Sequence, residues 1–318
     1  FKMDPVFFPE DWDQNSVDVV SSKYFFAPKD SELKGKLNDK IGSENENSIY
    51  HLANRVTNFF ADEGDKLGYF ATEDDREAFR SELLWLQLNR KGAFNSPTQF
   101  NAGLFNEYGI TGSNSLNFKR DPSTGEITKI NDAEYMHPQN HACFIIGPSD
   151  NLESIARHSV NEIGIFSLGS GVGQDIGKLR AEGESLSGGG EASGPLSYLN
   201  FYDRVAAAIK SGGKSRRAAR MSTMRENHPD VMKFVDGKIR EDHKGLILEM
   251  NGFDGGMDGE AYTTVANQNT NHSVRLSDDF FEKVKNGGNV EFYNVSNGEK
   301  SGEMPADEML KRISFGSW

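Results

Sequence analysis

From Ala93 onward, short strand-like runs alternate with helical ones across glycine-rich turns, and this alternation limits the chain to an α/β sheet or barrel. Ala142–Ile146 reads as a short buried strand. A helix follows, capped by Asp150 with Glu153 at its third position, and it places Leu152, Ile155, Val160 and Ile163 inward. Gly169–Gly177 reads as a glycine turn, Leu196–Lys210 as a helix, Ala218–Thr223 as a strand, and Pro229 as the first turn of another helix. Strand Asn271–Leu276, helix Ser277–Lys285 and strand Val290–Val295 continue the pattern, with no internal repeat and no heptad.

The stretch before Ala93 has a different texture. Residues 1–47 read as an irregular segment, with Lys29–Glu46 exposed, and residues 48–92 as a helical region. In that region Ser48–Asp65 carries Tyr50, Leu52, Val56 and Phe60 at helical spacing. The next helix opens with Thr72 and Asp75 in capping-box spacing, presents Phe79, Leu83 and Leu86, and closes at Gly92. Ala93–Leu104 reads as a polar-aromatic loop opening the third region, 93–318.

Composition narrows the function. No apolar run approaches the length of a membrane span, and the first residues lack the pattern of a signal peptide. A single cysteine suits a reducing cytoplasm. The net charge of −13 argues against a general nucleic-acid coat, so no DNA partner is expected. Yet Lys210–Arg220 holds five Lys or Arg and no acid, which fits the grip on a small polyanion.

The one cysteine, Cys143, lies in MHPQNHACFII, where a polar loop meets the strand. Taken alone it reads either as a small buried hydrophobe or as a redox thiol whose pKa His141 lowers. Two glycine-rich loops follow, LSGGGEASGP at 186–195 and KSGGKSRRAA at 210–219. The second sets backbone N–H groups beside Lys214, Arg216 and Arg217, which suits either a phosphate or a solvated basic turn. Asp150 is a helix cap, a contact to a sugar hydroxyl, or both.

Stock nucleotide motifs fail. In GSGVG, Gln174 stands where a dinucleotide fingerprint needs its third glycine, and Gly213-Lys214-Ser215 lacks the first glycine of a P-loop at Ala208. Scattered His137, His228 and His272 make no zinc site, with His228 reading as part of a helix start. The acidic run Asp254–Glu260 lacks calcium-loop spacing and reads as a turn, so no metal ligand is expected.

Taken in order, NSPTQFNAGL, HPQNHACFI, the Gly169–Arg180 turn, LSGGGEASGP, KSGGKSRRAARM, HPD and NTNHSVRLSD resemble the catalytic chain of ribonucleotide reductases, in the adenosylcobalamin-dependent class II branch. The resemblance covers about residues 94–275. It implies a helical region followed by the first part of a ten-stranded α/β barrel, incomplete here. It also implies reduction of ribonucleotides, diphosphates by expectation, through a thiyl radical, with adenosylcobalamin as cofactor. On this resemblance Cys143 is one of two reducing thiols, reset by a thioredoxin-like reductant. Asn95, Ser96, Thr98, Ala142 and Gly171 match substrate-lining positions. Asp150, Ser167 and Arg180 match the site of a (d)NTP effector. Gly188, Gly189 and Gly190, and Gly212, Gly213, Lys214, Ser215, Arg216 and Arg217, match two specificity loops.

The family also needs a radical-bearing cysteine and a second reducing one, and neither is among these residues. The chain is therefore read as the N-terminal part of a longer protein, inactive alone, whose missing part is one partner and a second copy another. Two other readings stay open: the large subunit of an oxygen-dependent (class I) reductase, and a nucleotide-binding regulatory protein without catalysis.

Overall fold

The computed structural model describes residues 5–112, 118–121, 123–129, 134–211, 216–217, 219–256 and 259–317. The chain divides into two compact units, one of residues 1–142 with 214–216, the other of residues 143–213 with 217–318. Residues 93–142 thus group with the helical region.

The first unit is a helical layer. The stretch expected to be irregular instead forms α1 (Gln14–Lys23) and α2 (Ser31–Ile41). Their apolar stripes are thin, but Asp13 and Asp30 accept the first free backbone N–H groups, and Gly42, at φ 68°, closes α2. Helix α3 (Ile49–Lys66) starts at the Ser48 cap, and α4 (Glu73–Leu88) at the Thr72/Asp75 capping box, as the spacing predicts. Leu52 and Val56 are buried, whereas Tyr50, Phe79 and Leu86 face solvent. The presumed loop after Gly92 is helical as well: Asn95 caps α5 (Ser96–Asn101), and Gly103 leads into α6 (Leu104–Tyr108). Strands β1 (Phe118–Arg120) and β2 (Ile127–Lys129) form a small antiparallel hairpin.

A buried ion pair ties this unit together. Arg55 Nε donates to Glu46 Oε1 at 2.7 Å, and its other nitrogens reach the carbonyls of Ala102 (2.6 Å) and Gln99 (2.8 Å). Burial alone would raise the Glu46 carboxyl. The Arg55 charge and hydrogen bonds from Arg55, the Phe26 N–H and the Tyr108 O–H outweigh burial and hold it below its usual 4.5. Since the folded value lies under the unfolded one, the unfolded chain takes up the proton first as pH falls. This stabilisation is complete above the unfolded value and lost as pH drops through the folded one. The urea midpoint is expected to stay level from neutral pH to about 5 and to fall steeply below about 4.5; a level midpoint down to about pH 3 would refute this.

The second unit is built on a parallel sheet. Strand β3 (Cys143–Ile145) pairs with β4 (Gly171–Asp175) through α7 (Leu152–Ser167). Helix α8 (Pro195–Ala208) and the short strands β5 (Lys210–Ser211) and β6 (Arg216–Arg217) precede β7 (Arg220–Arg225). Helix α9 (Val231–Met250) and the short α10 (Glu260–Thr263) then lead to β8 (Thr270–Arg275). The order β3-β4-β7-β8 adds each strand at the same side, so among the described residues β3 and β8 are the two edges. Helix α11 (Asp278–Asn286), the antiparallel pair β9 (Asn289–Tyr293) and β10 (Lys300–Pro305), and α12 (Ala306–Ser317) complete the unit.

Side chains alternate across a strand, and register assigns the faces of this sheet. Phe144, Val172, Gln174, Ser222, Met224 and His272 share the helix-covered face: Val172 packs with Phe166 and Ala206, and Met224 with Phe234. Cys143, Ile145, Gly171, Gly173, Met221 and Asn271 share the other.

Several readings of this unit change. The glycine turn is in fact strand β4, and Gly173 is explained by close approach: a Cβ there would sit 2.8 Å from Ile145 Cδ1. Helix α7 buries Ile155, His158, Ser159, Glu162 and Phe166, while Leu152, Val160 and Ile163 are exposed. The inward face carries polar residues because Glu162 meets a buried arginine, Arg220, and His158 Nε2 lies 3.4 Å from the same carboxylate.

Candidate functional site

Cys143 opens β3, directly in register with Gly171 of β4. The strand is not buried as expected. Its thiol is exposed, and Ile145 on the same face is 83% exposed. The reading of Cys143 as an interior hydrophobe therefore falls. Gly171 adds no side chain beside the sulfur, so a molecule lying over bare backbone can reach it. Two predicted site residues, Cys143 and Gly171, thus meet.

In the first unit, Asn95, Ser96 and Thr98 stand together at the start of α5, each already bonded. Asn95 Oδ1 accepts from the Thr98 N–H at 3.1 Å, Ser96 Oγ lies 3.0 Å from Tyr24 Oη, and the Thr98 hydroxyl reaches Asn140 O at 3.2 Å. Thr98 is buried. With Asn101 Nδ2 bonded to Gln139 O at 3.0 Å, α5 fixes the segment that leads into half-buried Ala142.

A second site is a cleft of about 450 Å³ lined by Asp150, Ile155, Arg180, Leu186, Glu191 and Tyr198, among others. Asp150 does not cap α7; Asn151 does, accepting from Ser154 N. The Asp150 carboxylate is turned instead to Arg180, whose Nε donates to Oδ2 at 2.7 Å and whose N–H donates to Oδ1 at 3.3 Å. Arg180 Nη1 also donates to Ser185 O at 3.1 Å. Asn151 starts α7 and Gly194 starts α8, and both line the cleft, so two helix N-termini face it. Such ends favour negative charge.

The first glycine loop forms one wall. Ser185 bridges to Glu191, and Leu186 N donates to Gly190 O at 3.0 Å. The tip requires Gly189 and Gly190 at φ 85° and 91°, a region closed to most side chains. Gly188 precedes them. Ser167 is not brought to this cleft: it ends the 16-residue α7, about 24 Å long, with its hydroxyl on Gly164 O. In the second loop, Gly212, Gly213, Lys214 and Ser215 lie outside the described residues, as do the side chains of Arg216 and Arg217 in β6.

Residues not assigned to the site from sequence hold the cleft in shape. Buried Glu184 accepts from Ala181 N (2.7 Å), Val295 N (3.0 Å) and Ser296 N (2.9 Å). Burial opposes its charge, but these bonds and the Ser296 side chain win and depress its pKa. The HPD start of α9 does similar work: His228 Nε2 donates to Leu179 O at 3.0 Å, Nδ1 accepts from Asp230 N, and Asp230 Oδ2 accepts from Glu182 N at 2.7 Å. The signal for His228 and Asp230 was the motif itself; Glu184 has none. Among the described residues, no three His, Cys, Asp or Glu side chains converge as a metal site. No helix among them is long and apolar enough to cross a membrane.

Comparison with known proteins matches this chain to two family models. Residues 141–313 match the ribonucleotide reductase barrel domain, and residues 1–90 match class II vitamin B12-dependent ribonucleotide reductase. A vitamin B12-dependent ribonucleotide reductase of Rhodopirellula baltica is 40% identical over 98% of this chain and 29% of its own length. One of Bradyrhizobium diazoefficiens is 30% identical over all of this chain and 33% of its own. A vitamin B12-dependent ribonucleoside-diphosphate reductase of Thermoplasma acidophilum is 30% identical over 57% of this chain and 21% of its own. The chain thus spans about a third or less of these relatives.

Proposed function

Because this chain belongs to the vitamin B12-dependent ribonucleotide reductases, we propose that it supplies one reducing thiol and the effector cleft of an enzyme that converts ribonucleoside diphosphates to 2′-deoxyribonucleotides. The observation that carries this reading is the exposed Cys143 sulfur in register with Gly171 on the sheet face opposite the helices. Two thiols give up two electrons and two protons: the 2′-hydroxyl leaves as water, a hydrogen takes its place, and the sulfurs join as a disulfide. Cys143 is the only cysteine in the 318 residues, so its partner thiol comes from elsewhere in the enzyme. A thioredoxin-like dithiol, by exchange, returns both to the reduced form.

Adenosylcobalamin, the cofactor of this class, supplies the radical that starts the reaction. The clefts within each unit, about 420 to 480 Å³, are of nucleotide size, and no residue is assigned to the corrinoid. Asn95, Ser96, Thr98 and Ala142 position the ribonucleotide.

The cleft between the starts of α7 and α8 takes a (d)NTP effector, with Asp150 accepting from a sugar hydroxyl and Arg180 donating to phosphate. The glycine loops, Gly188–Gly190 and Gly212–Arg217, carry effector identity to the substrate base. A second copy covers the apolar residues that α7 and α8 leave exposed, Leu152, Val160, Ile163 and Phe201. The setting is the cytoplasm.

Arg180→Ala removes a charge-assisted contact and is expected to weaken dNTP binding about tenfold to a hundredfold by calorimetry. Unchanged affinity would sink the effector assignment. Deoxynucleotide formation from diphosphate against triphosphate, assayed with adenosylcobalamin, tests the reaction.

A further inference from the structure

We propose that the buried Glu162–Arg220 pair is the positioning element through which the effector cleft sets the start of β7, the strand that comes after the basic loop in the chain; this rests on reading that cleft as a nucleotide site. Arg220 is the first residue of β7, three residues beyond Arg217. Its side chain and that of Glu162 are both 0% exposed. Arg220 Nε and Nη2 donate to the two Glu162 oxygens, each at 2.6 Å. Nη2 also donates to Tyr202 O at 2.8 Å, and Nη1 to Thr270 Oγ1 at 3.0 Å. The guanidinium is thereby clamped between α7, α8 and β8. It lies 5.7 and 5.6 Å from the ring centres of Phe166 and Tyr202.

The same two helices begin at the cleft. Ile155 on α7 and Tyr198 on α8 line it. Glu162 lies two turns beyond Ile155, about 10 Å along α7, and Tyr202 one turn beyond Tyr198. A cross-tie joins the helices midway, the Tyr202 hydroxyl donating to Ile155 O at 3.2 Å. A ligand that changes how the starts of α7 and α8 sit therefore moves the carboxylate and the carbonyl that hold Arg220. A bidentate buried pair follows such a shift or breaks; it cannot stretch.

Stability alone does not call for this arrangement. A buried ion pair is commonly matched or bettered by apolar residues of similar volume, whereas a fixed fork specifies position. His158 Nε2, 3.4 Å from Glu162 Oε1, backs the carboxylate from the α7 side. Burial works against the Glu162 charge, but His158 and Arg220 prevail and keep its pKa low. The coupling runs from cleft to helix pair to fork to the start of β7.

The test uses the full-length holoenzyme with Glu162→Gln, measuring effector affinity and the ratio of kcat/KM for two ribonucleotides with and without effector. Affinity is expected within about threefold of wild type and effector-free turnover retained, while the effector-induced change in substrate ratio shrinks about tenfold. Amide hydrogen exchange at 219–225 is expected to respond to effector in wild type and to stop responding in the variant. Should E162Q unfold, E162Q/R220Q leaves no buried charge without its partner and takes its place. Effector bound and substrate ratio still switched as in wild type would overturn the fork's role. No effector bound by wild type would overturn the cleft reading and this inference with it.

Discussion

Arg55→Ala is expected to destabilise the first unit by about 3–5 kcal/mol, because it strands a buried carboxylate. Glu46 is 0% exposed, and among the described residues the Phe26 N–H and the Tyr108 hydroxyl would remain to hold its charge, at 2.8 and 2.9 Å. The carbonyls of Gln99 and Ala102 lose a donor at the same time. The backbone has no room to compensate: Gly103 sits at φ 78°, and a Cβ there would lie 2.2 Å from Arg55 O. A urea titration followed by circular dichroism measures the loss. A double variant with Met at 55 and Leu at 46 should recover most of it, since the uncompensated charge is gone. If the single variant stays within about 1 kcal/mol of wild type, the pair is not what holds α3 to α5 and α6.

Cys143→Ser should reduce multiple-turnover reduction in the complete enzyme by more than roughly a thousandfold, the scale on which loss of a covalent participant acts. A hydroxyl neither forms the disulfide nor passes electrons to an incoming dithiol. Effector binding should be unchanged, because no bond of the cleft involves residue 143. In the folded wild-type chain the exposed thiol should also react stoichiometrically with a maleimide. Deoxynucleotide formation by the Ser variant near the wild-type rate would remove Cys143 from the chemistry.

Local signals were legible in the sequence; distant pairings were not. The Thr72/Asp75 box was readable because a cap and the N–H it satisfies lie within three residues, and Ser48 and Ser277 were legible as helix starts, which they cap. The lone cysteine at a strand start and the HPD run were readable for the same reason. Helices α1 and α2 were missed because polar residues fill them and their Asp caps look like any exposed acid. Asp150 was assigned to the nearest helix, yet its partner Arg180 stands 30 residues away. The buried face of α7 was misjudged because Glu162 meets Arg220 only across 58 residues. One hint was present: β7, Arg-Met-Ser-Thr-Met-Arg, alternates buried and less buried positions and puts its first arginine inside. Periodicity assigns faces by hydrophobicity, and a charged residue that finds its counter-ion inside breaks the rule.

The sheet that carries Cys143 has a practical cost for anyone handling these residues alone. Among the described residues strands β3 and β8 border it, and the outer side of each is where a further strand can add. Such a border is a template on which another copy can zip, head to flank, into ordered assemblies. Sample clarity on storage will therefore depend on whether those two seams are closed, by neighbouring polypeptide or by a charged residue placed on the seam.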